Sequence, residues 1–263
     1  MITGRVSRYA PWRLLGYAVS VAAVLVAWQY FSSRAVITLL FPSPMSTLRV
    51  GLGLLQSGQL LADLKASLWR LLAGFAVGSV VGVVAGLVLG SFRMARHLFE
   101  PYINFLRFLP ALAWIPVVMV WMGTGEGSKV ALLAYTTVFI VALSTMAGVT
   151  SVPQNQLRAA RSFGARPLQT FYLVTFPSTV GHILTGMRLA MGNCFMTVVA
   201  AELVASDSGI GYLIFSSRQW MQTELAYVGI TVLGVLGVIT DRIFYVTTET
   251  LLWRYQSGGL RGD

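Results

Sequence analysis

Six apolar runs, at about 14–31, 71–90, 105–122, 130–150, 180–204 and 227–248, divide the chain, and short polar connections separate them. A hydrocarbon core of about 30 Å takes roughly 20 apolar residues to cross as a helix. Because such a segment must satisfy its own backbone hydrogen bonds, each run predicts an α-helix rather than a strand. The expected fold is all-α: a polytopic helical membrane protein with six transmembrane helices, forming one transmembrane domain over residues 1–263. A hydrophobic content of 56% with only 11% charged residues excludes an ordinary soluble domain. The net charge of +10 does not indicate nucleic acid, because the basic residues are scattered between apolar runs. Cys194 is the single cysteine, so no intrachain disulfide can form, and His97 and His182 lie far apart without thiols or carboxylate clusters, so no metal site is expected.

The first run follows the basic stretch MITGRVSRYAPWR, is long for a signal segment and lacks a small-residue cleavage site, so it reads as a retained span. Phe41-Pro42-Ser43-Pro44 then breaks the chain, and Leu48, Leu52, Leu55, Leu61, Leu64 and Leu68 predict an interfacial helix over 45–70, interrupted near Ser57-Gly58. In the second run Gly74, Gly78, Gly82, Gly86 and Gly90 recur every fourth residue, a ridge that lets another helix approach closely; a sliding surface for gating is the alternative. Pro110 and Pro116 predict a bent third helix, which either lines a cavity or is merely kinked. Gly123-Thr124-Gly125-Glu126-Gly127-Ser128-Lys129 is not a phosphate loop, since serine precedes lysine, and reads as a tight turn.

Six spans place both termini on one side of the membrane. Eleven lysines and arginines fall on that side and six on the other, which predicts cytoplasmic termini, with the connections near Thr124 and Ser217 outside. Arg188, Glu202 and Asp241 are ionisable residues inside spans, where charge is expensive and therefore informative. Arg188 can pair with a carboxylate, cap carbonyls or face a cavity, and Glu202 can act at an outer gate or in helix packing. With Pro110 and Pro116 they form the candidate gate or pathway residues. Asp241 lies beside Arg242, where local pairing or snorkelling suffices. No arrangement of nucleophile, base and acid is present, so the chain is not expected to be an enzyme.

Residues 154–177 form a polar island between two apolar runs. Leu157, Ala160 and Phe163 are spaced along one face of a helix and Arg158 and Arg161 along the other; Gly164 provides a stop, Pro167 a restart, and Pro177 a close. Within it, Ala159-Ala160, three residues, Gly164, nine residues, Val174, one residue and Phe176-Pro177 resemble the EAA loop of binding-protein-dependent ABC import permeases, although Arg158 stands where that loop usually has glutamate. Ser67-Leu68-x-Arg70, Pro110 with Trp114 and Pro116, Gly123-x-Gly125-Glu126-x-Ser128-Lys129, Thr185-Gly186-x-Arg188-Leu189-Ala190, Ala201-Glu202 and Gly209-Ile210-Gly211-Tyr212 are similar to the subgroup that serves taurine, alkanesulfonates and nitrate. The resemblance covers roughly residues 41–212.

It implies a type I importer permease in the bacterial inner membrane, in which Arg158, Ala159, Ala160, Gly164 and Pro177 belong to the segment that docks into an ATPase. The implied partners are a second permease copy, two cytoplasmic ATPase subunits carrying ATP and Mg, and an extracytoplasmic solute-binding protein; the permease itself binds no cofactor. The implied solute is a small anion, with taurine or another sulfonate ahead of nitrate, and bicarbonate or a pyrimidine vitamin precursor as alternatives. From other classes, an ion-coupled secondary transporter would need inverted repeats and more buried carboxylates, and a membrane scaffold would lack ATPase partners.

Overall fold

The computed structural model describes residues 11–34 and 40–256, with side chains omitted at 11–14, 204–205 and 249–256. The described residues form α1 (Pro11–Arg34), α2 (Pro44–Gln56), α3 (Gln59–Ser91), α4 (Arg93–Leu106), α5 (Ala111–Met122) and α6 (Glu126–Thr150). There follow α7 (Gln154–Ser162), α8 (Pro167–Thr170), a π-helical turn (Phe171–Thr175), α9 (Phe176–Ala205), α10 (Ile210–Gln219) and α11 (Thr223–Gln256). Among the described residues there is no strand.

Helix α2 starts where Ser43 Oγ accepts the Ser46 amide at 3.1 Å and Pro44 fits the first turn. It stops before Gly58, whose φ of +80° is available at low cost only to glycine. Beyond that break the chain does not continue along the interface. Helix α3 runs unbroken from Gln59 for 33 residues, so the second half of the expected interfacial helix is the first third of a long membrane span. Asp63, Lys65 and Arg70 obscured its start; Asp63 and Arg70 are buried and paired within the protein.

The glycine ridge packs against α6 in register. A Cβ placed on Gly78 would stand 2.5 Å from Thr137 Cβ, on Gly82 2.9 Å from Val141 Cβ, on Gly86 2.5 Å from Thr145 Cβ, and on Gly90 2.5 Å from Val149 Cβ. Both residue series ascend together, so α3 and α6 are parallel. The chain therefore must return from the Gly90 end of the pair to the Arg70 end between residues 91 and 126. Helices α4 and α5 make that return together. They are bent by 98° at the intervening break, so the expected third span is a broken one. Five other helices are long and apolar enough to cross a membrane, and this pair completes six.

Helix α9 runs antiparallel to α6: Gly148 meets Thr179 and His182, Gly186 meets Ser144, and the Thr137 and Cys194 side chains lie 3.1 Å apart. Leu71, Phe75, Leu133, Val141, Ala190, Met191, Cys194 and Val198 form the core of this three-helix unit. Helix α11 closes on it, with Phe75 and Phe244 edge to face at 6.2 Å. Helix α1 stays peripheral, pinned near its end by Trp28 Nε1 donating to Pro42 O and by Trp28 stacking on Tyr227. The chain termini lie outside the described residues.

Candidate functional site

At the bundle end remote from residues 154–177, four helices meet on one buried guanidinium. Arg70, 2% exposed, donates from Nη1 to Glu202 Oε1 at 2.7 Å and to Ser208 O at 2.7 Å. Its Nε and Nη2 hold both oxygens of Glu126, at 2.6 and 2.8 Å. Lys129 adds a contact to Glu126 at 2.9 Å. Glu202, fully buried, also accepts the Ser67 hydroxyl at 2.8 Å and the Gly211 amide at 2.8 Å, while the Ile210 amide donates to Ser67 Oγ and the Gly209 amide to Asp63 Oδ1. Gly209 has a φ of +115° and lies flat against the Glu202 carboxylate. Arg70 and Lys129 offset Glu126 and Glu202, and the buried Asp63 is met by the Gly209 amide, the kind of pairing under which buried ions are tolerated. Glu202 is a packing centre that ties α3, α6, α9 and α10 together. The sequence alone places Arg70 at the end of an interfacial helix and Glu126 in a turn; the Ser67-x-x-Arg70 and Glu126-x-x-Lys129 pairs were the available signals.

The α4–α5 break opens a second feature. Pro110 caps α5, and Arg107, Leu109 and Pro110 border a cavity of about 570 Å³ between the break, α6 and α9. Pro110 lines it, whereas Pro116 lies inside α5, outside the cavity lining. Tyr135 fastens the break: its hydroxyl donates to Leu106 O at 2.7 Å and accepts from Trp114 Nε1 at 2.9 Å. Arg107, Thr136, Ser144, Asn193 and Thr197 supply polar lining.

Residues 154–177 form the expected elbow, with two corrections. Gly164 adopts φ +77° and ends α7, its amide reaching Arg161 O and the Ala165 amide reaching Ala160 O. Pro167 opens α8. Arg158 and Ala159 are exposed and Ala160 is half-buried. Phe163, expected on the packed face with Leu157, is instead 91% exposed, because α7 ends before it and the backbone turns outward. Pro177 does not close the elbow. It sits in the first turn of α9, where the π-helical turn before it shifts the hydrogen-bond register and removes the need for its missing amide. Helix therefore continues from Pro167 to Leu203.

Arg188, on α9, pairs with Asp241 of α11 through two bonds of 2.7 and 2.8 Å and covers the Tyr245 ring at 5.5 Å. The pair remains 43% and 52% exposed. Its neighbour Gly186 packs on Ser144 and Val141, placing the ion pair near mid-height of the bundle and apart from Glu202.

Residues 78–248 match the family described as "Binding-protein-dependent transport system inner membrane component". The taurine transport system permease protein TauC of Escherichia coli (strain K12) is 33% identical over 84% of this chain and 83% of its own length. The nitrate import permease protein NrtB of Synechocystis sp. (strain ATCC 27184 / PCC 6803 / Kazusa) is 28% identical over 93% and 90%. Among solved structures, the bacterial alginate ABC transporter in complex with an alginate pentasaccharide-bound periplasmic protein superposes with a TM-score of 0.60 at 12% identity, covering 92% of this chain and 97% of that one. Six crossings, the type I ABC importer permease fold, the elbow and these similarities agree: the chain belongs to the binding-protein-dependent ABC transport permeases of the inner membrane.

Proposed function

We propose that this permease forms the translocation path for a small oxyanion, a sulfonate such as taurine ahead of nitrate. It works with a second copy of itself, two cytoplasmic ATPase subunits that carry ATP and Mg, and an extracytoplasmic solute-binding protein. One observation carries the ATP-driven reading: the exposed α7 joins a helix that runs unbroken from Pro167 into α9 through only the short turn 163–166, so a push at Ala159 and Ala160 is passed to the helix that walls the cavity. Similarity to the taurine and nitrate permeases supports the solute class. The exposed Arg188–Asp241 pair supports the second copy, because charge at mid-membrane height must be covered by protein or water rather than acyl chains. Family membership removes the ion-coupled alternative.

The test is uptake of labelled taurine, ethanesulfonate and nitrate by proteoliposomes holding the full complex. Wild type is expected to accumulate a sulfonate with ATP hydrolysis. Ala160→Trp is expected to lose uptake and copurified ATPase while remaining membrane-inserted. Arg158→Glu is expected to weaken ATPase copurification by about 1–3 kcal/mol, through repulsion from an acidic patch. Uptake by Ala160→Trp at the wild-type rate would remove the elbow from the coupling path, and accumulation of none of the three anions would reject the solute class.

For orientation, the elbow and the arginines of α4 lie at one end of the bundle. The structure shifts three residues within the charge comparison, Arg70 and Lys129 into the buried cluster from one side and Arg107 to the break at mid-height from the other, and the asymmetry persists. We assign the elbow end to the cytoplasm. In intact cells, an impermeant thiol reagent is expected to label Thr124→Cys and Gln219→Cys but not Ser162→Cys; Ser217 is 1% exposed and unsuited as a probe. Strong labelling at position 162 would invert the assignment.

A further inference from the structure

Arg107 occupies an unusual place for a cation. The carbonyl of the preceding residue, Leu106, is bonded by Tyr135, which stands about nine residues into the 25-residue α6. At 1.5 Å per residue this is roughly 14 Å from the outer end of the helix, well inside the hydrocarbon depth. A charged side chain there must be paired or face an aqueous space. Among the described residues Arg107 forms no ion pair; its guanidinium lies over the Phe108 ring at 4.7 Å and borders the cavity at the break. Among the described residues no carboxylate lines that cavity. The polar groups around it are uncharged: Tyr135, Thr136, Ser144, Asn193 and Thr197. The side chains of Ser144 and Asn193 make no hydrogen bond within the described protein, so their donors are available to a ligand. Non-helical backbone at this depth is itself tolerated only where it is buried in protein or borders such a cavity. The volume of about 570 Å³ lies within the range of small-ligand pockets.

We infer that this cavity is an anion-transit site in which Arg107 draws in the oxyanion head of the solute and the Ser144 hydroxyl and Asn193 amide hydrogen-bond its oxygens. This rests on the transport reading above and adds the residue that makes the path selective for charge. A lysine at the position keeps the positive charge; a glutamine removes it while retaining donors. The broken α4–α5 span provides the opening, since a continuous helix would fill the space with side chains. Arg188 plays no such part, because Asp241 already neutralises it.

The decisive measurement does not depend on knowing the natural solute. Leu143 lines the cavity through an apolar side chain, so Leu143→Cys serves as a reporter; the native Cys194 is fully buried and gives only a background rate. The assembled complex in detergent is treated with a sulfonate-bearing and with a trimethylammonium-bearing methanethiosulfonate reagent. In the presence of Arg107 the anionic reagent is expected to react faster than the cationic one. Arg107→Gln is expected to lower that rate ratio by about tenfold or more, and Arg107→Lys to preserve most of it. The same variants in proteoliposomes are expected to show sulfonate uptake cut in Arg107→Gln with ATPase copurification unchanged. A rate ratio that Arg107→Gln leaves intact would overturn the site, as happens if a carboxylate of the second copy neutralises Arg107. A ratio that depends on Arg107 in a complex that accumulates none of the three anions keeps the site and rejects the solute class alone.

Discussion

Arg70→Ala is expected to cost about 3–5 kcal/mol, because it leaves the fully buried Glu202 without its counter-charge. Ser67 and the Gly211 amide would still bond Glu202, but neither supplies charge. Glu126 Oε2 would lose its donor as well, while Glu126 Oε1 keeps Lys129 and Ser208 O keeps the Ser206 hydroxyl. Glu202→Ala should cost less, since Arg70 keeps both oxygens of Glu126, although the Ser67 hydroxyl and the Gly211 amide lose their acceptor. Glu202→Gln retains one acceptor oxygen and should be milder. Glu126→Gln should be milder still, as Glu126 is 53% exposed and surface ion pairs contribute about 0–1 kcal/mol. The measurement is thermal unfolding of the detergent-solubilised permease by fluorescence-detected gel filtration. The double variant Arg70→Ala/Glu202→Ala should lose much less than the sum of the single losses, because each charge is costly mainly when unpaired. Strict additivity, or a wild-type transition for Arg70→Ala, would mean the two groups do not depend on each other.

The crossings were legible because hydrophobic runs of bilayer length have few other solutions, and the glycine ridge was legible because its period matches the helix. What escaped had a common physical cause. Arg70 reads as an interfacial charge until Glu202, 132 residues away, and Glu126, 56 residues away, are brought to it, and this made α3 look short. Family-like motifs marked Ser67, Arg70, Glu126, Glu202 and Gly209 separately, yet spacing alone could not say that they converge. Pro110 signalled a break, but whether a proline kinks a helix or separates two of them depends on the tertiary contacts of Tyr135. Pro177 looked like a terminator because the compensating π-helical turn leaves no mark in hydrophobic periodicity. Phe163 fitted a helical face, but the helix stops one residue before it.

Gly86→Leu is expected to prevent α3 and α6 from pairing, with loss of assembled complex, while Val84→Leu, at a 58% exposed position, should assemble normally. The reason lies in what the added atoms meet. A Cβ at Gly86 would stand 2.5 Å from the carbonyl oxygen of Ala142 and 2.5 Å from Thr145 Cβ. The first of these is backbone, which no rotamer change can move. Trimming the opposing side chain by Thr145→Ala should therefore fail to rescue Gly86→Leu. Overpacking of this kind costs about 1–3 kcal/mol when neighbours can shift, and more where, as here, two parallel helices touch along their whole length. Forcing them apart would also displace the end of the pair at which Arg70 on α3 must reach Glu126 on α6, and Tyr135 further along α6, which holds the α4–α5 break. Loss of packing should thus appear as loss of the ion cluster and of the cavity together. The readout is the yield of monodisperse complex with copurified ATPase for Gly86→Leu, Gly86→Leu/Thr145→Ala and Val84→Leu. Equal yields for Gly86→Leu and Val84→Leu would show that the ridge tolerates separation. Recovery in the double variant would place the constraint in the Thr145 side chain rather than in the backbone approach that the glycine repeat permits.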